Sequence, residues 1–126
     1  MHRHLLAILA ALFCFSSVAA PTAAPVRAEI DALLSKLQAS GCQFNRNGSW
    51  YSGQEAKVHL LRKLEYFEGK TTIQSTEQFI QLAASSSSSS GTPYQVRCGA
   101  EPAVPSRQWL LGQLTAVRSS AKPAKP

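Results

Sequence analysis

Apolar residues recur along the chain with two periods, and each marks a kind of element. Ile30, Leu33, Leu34 and Leu37 fall at i, i+3, i+4 and i+7, the spacing that gathers side chains on one face of an α-helix. Ser40-Gly41 behind them is a stop signal, because glycine accepts the left-handed backbone that ends helices. A second helix is expected from about Gly53 to Phe67. Ser52 and Glu55, three residues apart, make a capping box in front of it, and Ala56, Leu60, Leu61, Leu64 and Phe67 fill one apolar arc. A third begins at Ser75, where Gln78 repeats the capping spacing and Phe79, Ile80, Leu82 and Ala83 supply the buried face. A fourth begins after Ser106, carries Trp109, Leu110, Leu114 and Val117 inward, and fades by Arg118.

The other period is two. Phe44 alternates with polar neighbours before Asn47-Gly48, a strong turn dipeptide, so a short strand entering a tight turn is expected there. Tyr94, Val96 and Cys98 alternate with Gln95 and Arg97 in a second strand far along the chain. An antiparallel register with Cys42 opposite Cys98 also puts Phe44 opposite Val96 and Arg46 opposite Tyr94. The expected fold class is therefore α+β and mostly helical: about four helices with a short two-stranded antiparallel ladder pinned by a disulfide. Ala20 to Pro25 reads as a flexible leader, and the serines from Ser85 to Ser90 read on composition as a flexible linker.

Processing signals change the count of cysteines. Arg3 stands before an apolar run from Leu5 to Phe15, the charged and apolar regions of a secretory signal, and the run is too short to span a membrane. A signal peptide over 1–19 is expected, with cleavage as late as 28 as the alternative, then a single globular domain over 29–118 and a disordered tail over 119–126. Export removes Cys14 and leaves Cys42 and Cys98 where disulfides persist. Their pairing would stabilise a small domain by roughly 3 to 4 kcal/mol in the chain-entropy model; two separate buried thiols are the alternative. No stable membrane insertion is expected after the signal is removed.

The formal charge of +6 gathers partly on the second helix, at Lys57, Arg62 and Lys63, and partly on the tail, at Lys122 and Lys125. No basic run is interleaved with aromatics, so no nucleic-acid partner is expected. Neither a metal site nor a cofactor is expected, because there is no CxxC and His59 is the single histidine of the exported chain. Gly69-Lys70-Thr71 resembles the end of a phosphate-binding loop, but Leu64 stands where the first glycine belongs.

Three places hold candidate chemistry. His59 with Glu55 at i−4 would form a general base and its orienting carboxylate, given a nucleophile from elsewhere; the plainer reading is a histidine at the edge of the core. Arg46 and Asn47 form either a simple turn or a presented loop whose guanidinium and amide recognise an anionic or planar group. Trp50 is favoured as core; exposed, it would be a stacking surface for a sugar or a partner.

Colinear blocks extend this reading: Phe44-Asn45-Arg46-Asn47-Gly48, then Glu55-Ala56 and His59-Leu60 with Lys63, then Glu77-Gln78-Phe79-Ile80, then Ala83-Ala84-Ser85 through Gly91, with Pro93-Tyr94. In this order and spacing they resemble the YfeK-like family of small exported proteobacterial proteins, a domain of unknown function. The resemblance covers roughly Ile30 to Arg118 and implies a periplasmic protein of the bacterial envelope, with no reaction or cofactor to carry over. It also implies that the serine block is an ordered loop rather than a linker. The expected function is a non-enzymatic binding or interaction module whose surface comprises Arg46, Asn47, His59, Ser86, Ser87, Ser89 and Tyr94. Its partner would be an envelope protein or an anionic or glycan ligand. The alternative is an envelope hydrolase using His59, Glu55 and a serine of the loop.

Overall fold

The computed structural model describes residues 20–121 and shows an α+β fold with four helices and one four-stranded antiparallel sheet. The helices are α1 (Ala24–Ala39), α2 (Gly53–Glu68), α3 (Thr76–Ala83) and α4 (Ser106–Ala121), and the strands are β1 (Gln43–Arg46), β2 (Ser49–Ser52), β3 (Gln95–Arg97) and β4 (Val104–Pro105). The sheet order is β2-β1-β3-β4.

The helical stripes behave as their periods dictate. Ile30, Leu33, Leu34 and Leu37 of α1 pack with Leu60 and Leu64 of α2, Phe79 and Ile80 of α3, and Leu110 and Leu114 of α4 in one core. Burying each such aliphatic side chain contributes about 1.5 to 3 kcal/mol, the main favourable term in a fold of this size. The capping box of α2 forms in full: Ser52 Oγ accepts from Glu55 N, and Glu55 Oε1 accepts from Ser52 N. At α3 only half of the expected box forms. Ser75 Oγ accepts from Gln78 N, but Gln78 Oε1 accepts from Gln74 N.

Two helix ends differ from expectation. The leader expected over Ala20 to Pro25 is helical from Ala24, because proline is tolerated in the first turn, where its missing N–H is not needed. The tail expected to be disordered from 119 is helical through Ala121, where α4 runs past the last inward residue. The expected signal peptide over 1–19 and the rest of the tail lie outside the described residues.

The ladder between β1 and β3 has the expected register, with Phe44 opposite Val96, and Cys42 and Cys98 form the disulfide with Cα atoms 4.3 Å apart. The sheet is nevertheless larger than the two strands expected. β2 folds back on β1 through Asn47 and Gly48, whose φ values of 51° and 84° are the positive pair a two-residue type I′ turn requires. Phe44, Tyr94 and Val96 face the helices and are buried, whereas Gln43 and Gln95 face away and are exposed.

The serine block is an ordered loop, not the flexible linker its composition suggests. Ser85 Oγ donates to Ile80 O at the end of α3, Tyr94 N donates to Ser85 O, and Ser87 N donates to Thr92 O. These bonds return the chain to β3 directly beside β1. Among the described residues no helix is long and apolar enough to cross a membrane.

Candidate functional site

The turn of the β1–β2 hairpin, the middle of α2 and the serine loop meet at one end of the sheet. β1 delivers Arg46, which shares a face with Phe44 because strand side chains alternate. α2 delivers His59 and, one turn later, Lys63 on the same edge. The serine loop delivers Tyr94 at its exit.

These four side chains form a continuous hydrogen-bonded row. An Arg46 guanidinium nitrogen lies 2.7 Å from His59 Nδ1, His59 Nε2 lies 3.2 Å from the Tyr94 hydroxyl, and Lys63 Nζ donates to that hydroxyl and to Ser86 O. Arginine has no acceptor, so Nδ1 receives the bond and the imidazole proton sits on Nε2, donating to Tyr94. His59 is thus neutral. Burial, followed by the charges of Arg46, Lys63 and Arg62, pushes its pKa down to about 4. Burial and Arg46 also push Lys63 down, and burial pushes the Tyr94 phenol up.

In front of this row lies a cavity of about 550 Å³, walled by Phe44, Tyr51, Ala56 and Val58 and bearing Arg46, His59 and Arg62. Arg46 also reaches the Tyr51 hydroxyl at 3.5 Å and lies over the Tyr51 ring, 5.1 Å from its centroid. Glu55 is the one carboxylate that lines the cavity, and it is held by the Ser52 cap. Among the described residues, neither Arg46 nor Arg62 has a carboxylate within ion-pair distance.

The structure brings together Arg46, Asn47, His59, the serine loop and Tyr94, but not all in accessible positions. Asn47 joins the loop on both sides of its amide, donating to Ser87 Oγ and accepting from Ser90 Oγ. Ser87 and Tyr94, expected on the binding surface, are only 5% and 2% exposed, so they support the site from behind. Ser86 contributes its carbonyl to Lys63, and Ser89 bonds to Ser87 within the loop.

The proposed catalytic pair is not assembled. Glu55 faces its own cap rather than His59, both imidazole nitrogens are occupied by Arg46 and Tyr94, and the hydroxyls of Ser85, Ser87, Ser89 and Ser90 bond to Asn47, to one another or to backbone. Trp50 is neither core nor bare. It is half-buried in β2, with the Arg97 guanidinium over its ring at 4.0 Å from the centroid.

Sequence reasoning missed the part played by Arg62 and Tyr51. Only the hairpin shows Tyr51 pairing with Phe44 beside Arg46. Lys63 carried a usable signal, since it follows His59 by one turn on the same helix edge.

A family model described as a family of unknown function (DUF5329) matches residues 24–118. A protein of Salmonella typhimurium described as "Uncharacterized protein YfeK" is 38% identical over 88 residues, covering 70% of this chain and 69% of its own. No solved structure matches.

Proposed function

The chain belongs to the family of unknown function DUF5329, and we propose that it is a non-enzymatic binding module of the bacterial envelope, periplasmic, which takes an anionic group in the cavity before His59. One observation carries this reading: Arg46 and Arg62 enter the cavity, Lys63 stands behind it, and the sole carboxylate of its lining is engaged elsewhere. Cations left without acids inside a partly desolvated pocket are electrostatically incomplete, and an anion completes them.

The local construction supports recognition rather than turnover. His59 holds the Arg46 guanidinium by accepting from it, a role open only to a neutral imidazole, and burial with the neighbouring charges keeps it neutral. Arg46 is thus oriented before a ligand arrives, which reduces the ordering cost of binding. Tyr51, Phe44 and Val58 give the cavity an apolar wall, so the ligand class is a carboxylate or phosphate carried on a compact apolar or ring-shaped body. Placement in the periplasm rests on the secretory pattern of residues 1–19 and on the Cys42–Cys98 disulfide, which belongs to an oxidising compartment.

Calorimetric titration at low salt with benzoate and with inorganic phosphate tests this reading. The parent chain is expected to bind at least one of them saturably, with affinity falling as salt rises. Arg46→Ala and Arg62→Ala should each weaken binding by about tenfold, the loss expected for a hydrogen bond to a charged group. Binding that is indifferent to both substitutions would sink the proposal.

A further inference from the structure

We propose that the face of the sheet turned away from the helices is a second, separate binding site, for a singly acidic sugar. Strand alternation puts Gln43 and Asn45 of β1, Trp50 of β2, and Gln95 and Arg97 of β3 on this face, opposite Phe44, Tyr51 and Val96. Arg46, the cation of the first cavity, lies on the other side of β1. The two sites therefore share a sheet but no side chain.

Arg97 is the centre of this face, and it is held in place twice. Its Cζ lies 4.0 Å from the centroid of the Trp50 ring, and its Nη2 donates to Gln43 Oε1 at 2.6 Å. One of five guanidinium N–H donors is thereby used. Among the described residues no carboxylate lies within ion-pair distance of Arg97; Glu55, in the hollow beside Gln43 and Trp50, is held by the Ser52 cap. A planar guanidinium fixed on an indole presents its remaining donors to a carboxylate, which it binds through paired, parallel bonds.

What surrounds Arg97 selects the rest of the ligand. The amides of Gln43, Asn45 and Gln95 offer donors and acceptors side by side, the pairing that sugar hydroxyls, themselves both donors and acceptors, require. The exposed part of the half-buried indole supplies apolar surface for the C–H side of a pyranose. With neighbouring strands about 4.8 Å apart, the row from Trp50 across Asn45 to Gln95 is about 10 Å wide, which suits one or two sugar rings. A single cation fits a single acidic group; a polyanion would need a basic patch. An apolar peptide side chain would need an apolar groove, and the hollow beside Trp50 is lined by Gln38, Gln43, Ser52, Gln54 and Glu55.

Trp50 lets the face report on itself. The chain has two tryptophans, Trp50 and Trp109, so the mature chain carrying Trp109→Phe is titrated with galacturonate, galactose and inorganic phosphate while indole emission is followed. Galacturonate is expected to change the emission saturably, galactose to bind about tenfold or more weakly for want of a carboxylate, and phosphate to give no saturable change. Arg97→Ala should weaken galacturonate by about tenfold, and Gln43→Ala, an exposed substitution, should weaken it without disturbing the near-ultraviolet spectrum of the fold. Arg46→Ala should leave it unchanged, which separates this site from the first cavity. An equal response to phosphate, equal affinity for galactose, no saturable response to galacturonate, or indifference to both Arg97→Ala and Gln43→Ala would overturn the proposal.

Discussion

Arg118 and Arg46 hold opposite positions in this molecule. Arg118, near the end of α4, bonds to Glu29 of α1 and to Glu77 of α3, and Glu29 also accepts from Thr76 at 2.6 Å. Three helices are tied by one cation and two acids, and the charges close among themselves. Arg46 reaches across the sheet end in a comparable way, yet its partners are an imidazole and a phenol, neither charged. An arginine that serves the scaffold is supplied with its acids by the fold. One that is supplied with orienting neighbours and no acid is, on the proposed reading, arranged for an anion that comes from outside.

The largest expected effect lies on the scaffold side. Gly53 opens α2 against the end of α1, and a Cβ there would drive into the carbonyl oxygen of Leu37. Gly53→Ala should cost about 2 to 3 kcal/mol, since neither backbone can yield easily. A urea midpoint unchanged from the parent would mean that α1 and α2 do not meet so closely.

His59 comes next and tests the site side. Its folded pKa of about 4 lies below the ordinary 6.5, so the unfolded chain binds the extra proton first as pH falls. Stability is therefore full above about pH 6.5 and declines as pH drops towards 4. Because the ring keeps part of its solvent, the loss is set at about 1 to 2 kcal/mol rather than the full linkage value. Urea melts from pH 7.5 to 4 should show the decline in the parent and a flatter profile in His59→Gln. Parallel profiles would remove His59 from its partners.

Arg118→Ala should cost about 1 kcal/mol, at the upper end for exposed ion pairs because one guanidinium serves two carboxylates. Hydrogen bonds from Arg118 lower the pKa of both Glu29 and Glu77. A depressed carboxylate pKa gives stability above the unfolded value that is lost as pH falls through the folded one, so this contribution fades below about pH 4.5. The substitution should matter at pH 7, matter less in high salt and matter little at pH 3. A deficit that persists at pH 3 would point to lost packing of the arginine stem instead.

These two ends were unequally legible in the sequence. The α1 stripe, the Ser52–Glu55 box, the Asn47-Gly48 turn and the Cys42–Cys98 register are local patterns, each complete within a few residues or fixed by a single covalent link. β2 was hidden because its four residues pass straight into the cap of α2 with no loop between them, and β4 because two residues carry no period. Glu55 looked equally fit to cap a helix or orient His59. The cap won because its partner is three residues away in a fixed geometry, whereas the imidazole found Arg46 across the sheet. The Arg118 clamp could not be read, since it joins residues 89 positions apart, and charge spacing over such distances has no period.

Arg46→Met tests the comparison at its weakest point, because it should do least to stability and most to recognition. Arg46 is one of the charges that press down the His59 pKa, and it pairs with no acid whose charge would be left behind. Removing it relieves repulsion with Arg62 and Lys63, while His59 Nδ1 turns to water in the open cavity. That relief offsets the bonds lost to His59 and Tyr51, so the stability change should stay within about 0.5 kcal/mol. The His59 pKa should rise from about 4 towards 6.5, followed through the imidazole proton resonances across a pH titration, and binding of benzoate and phosphate should fall. A destabilisation as large as that of Arg118→Ala, with the His59 titration unmoved, would make Arg46 a second structural clamp and erase the difference between the two arginines.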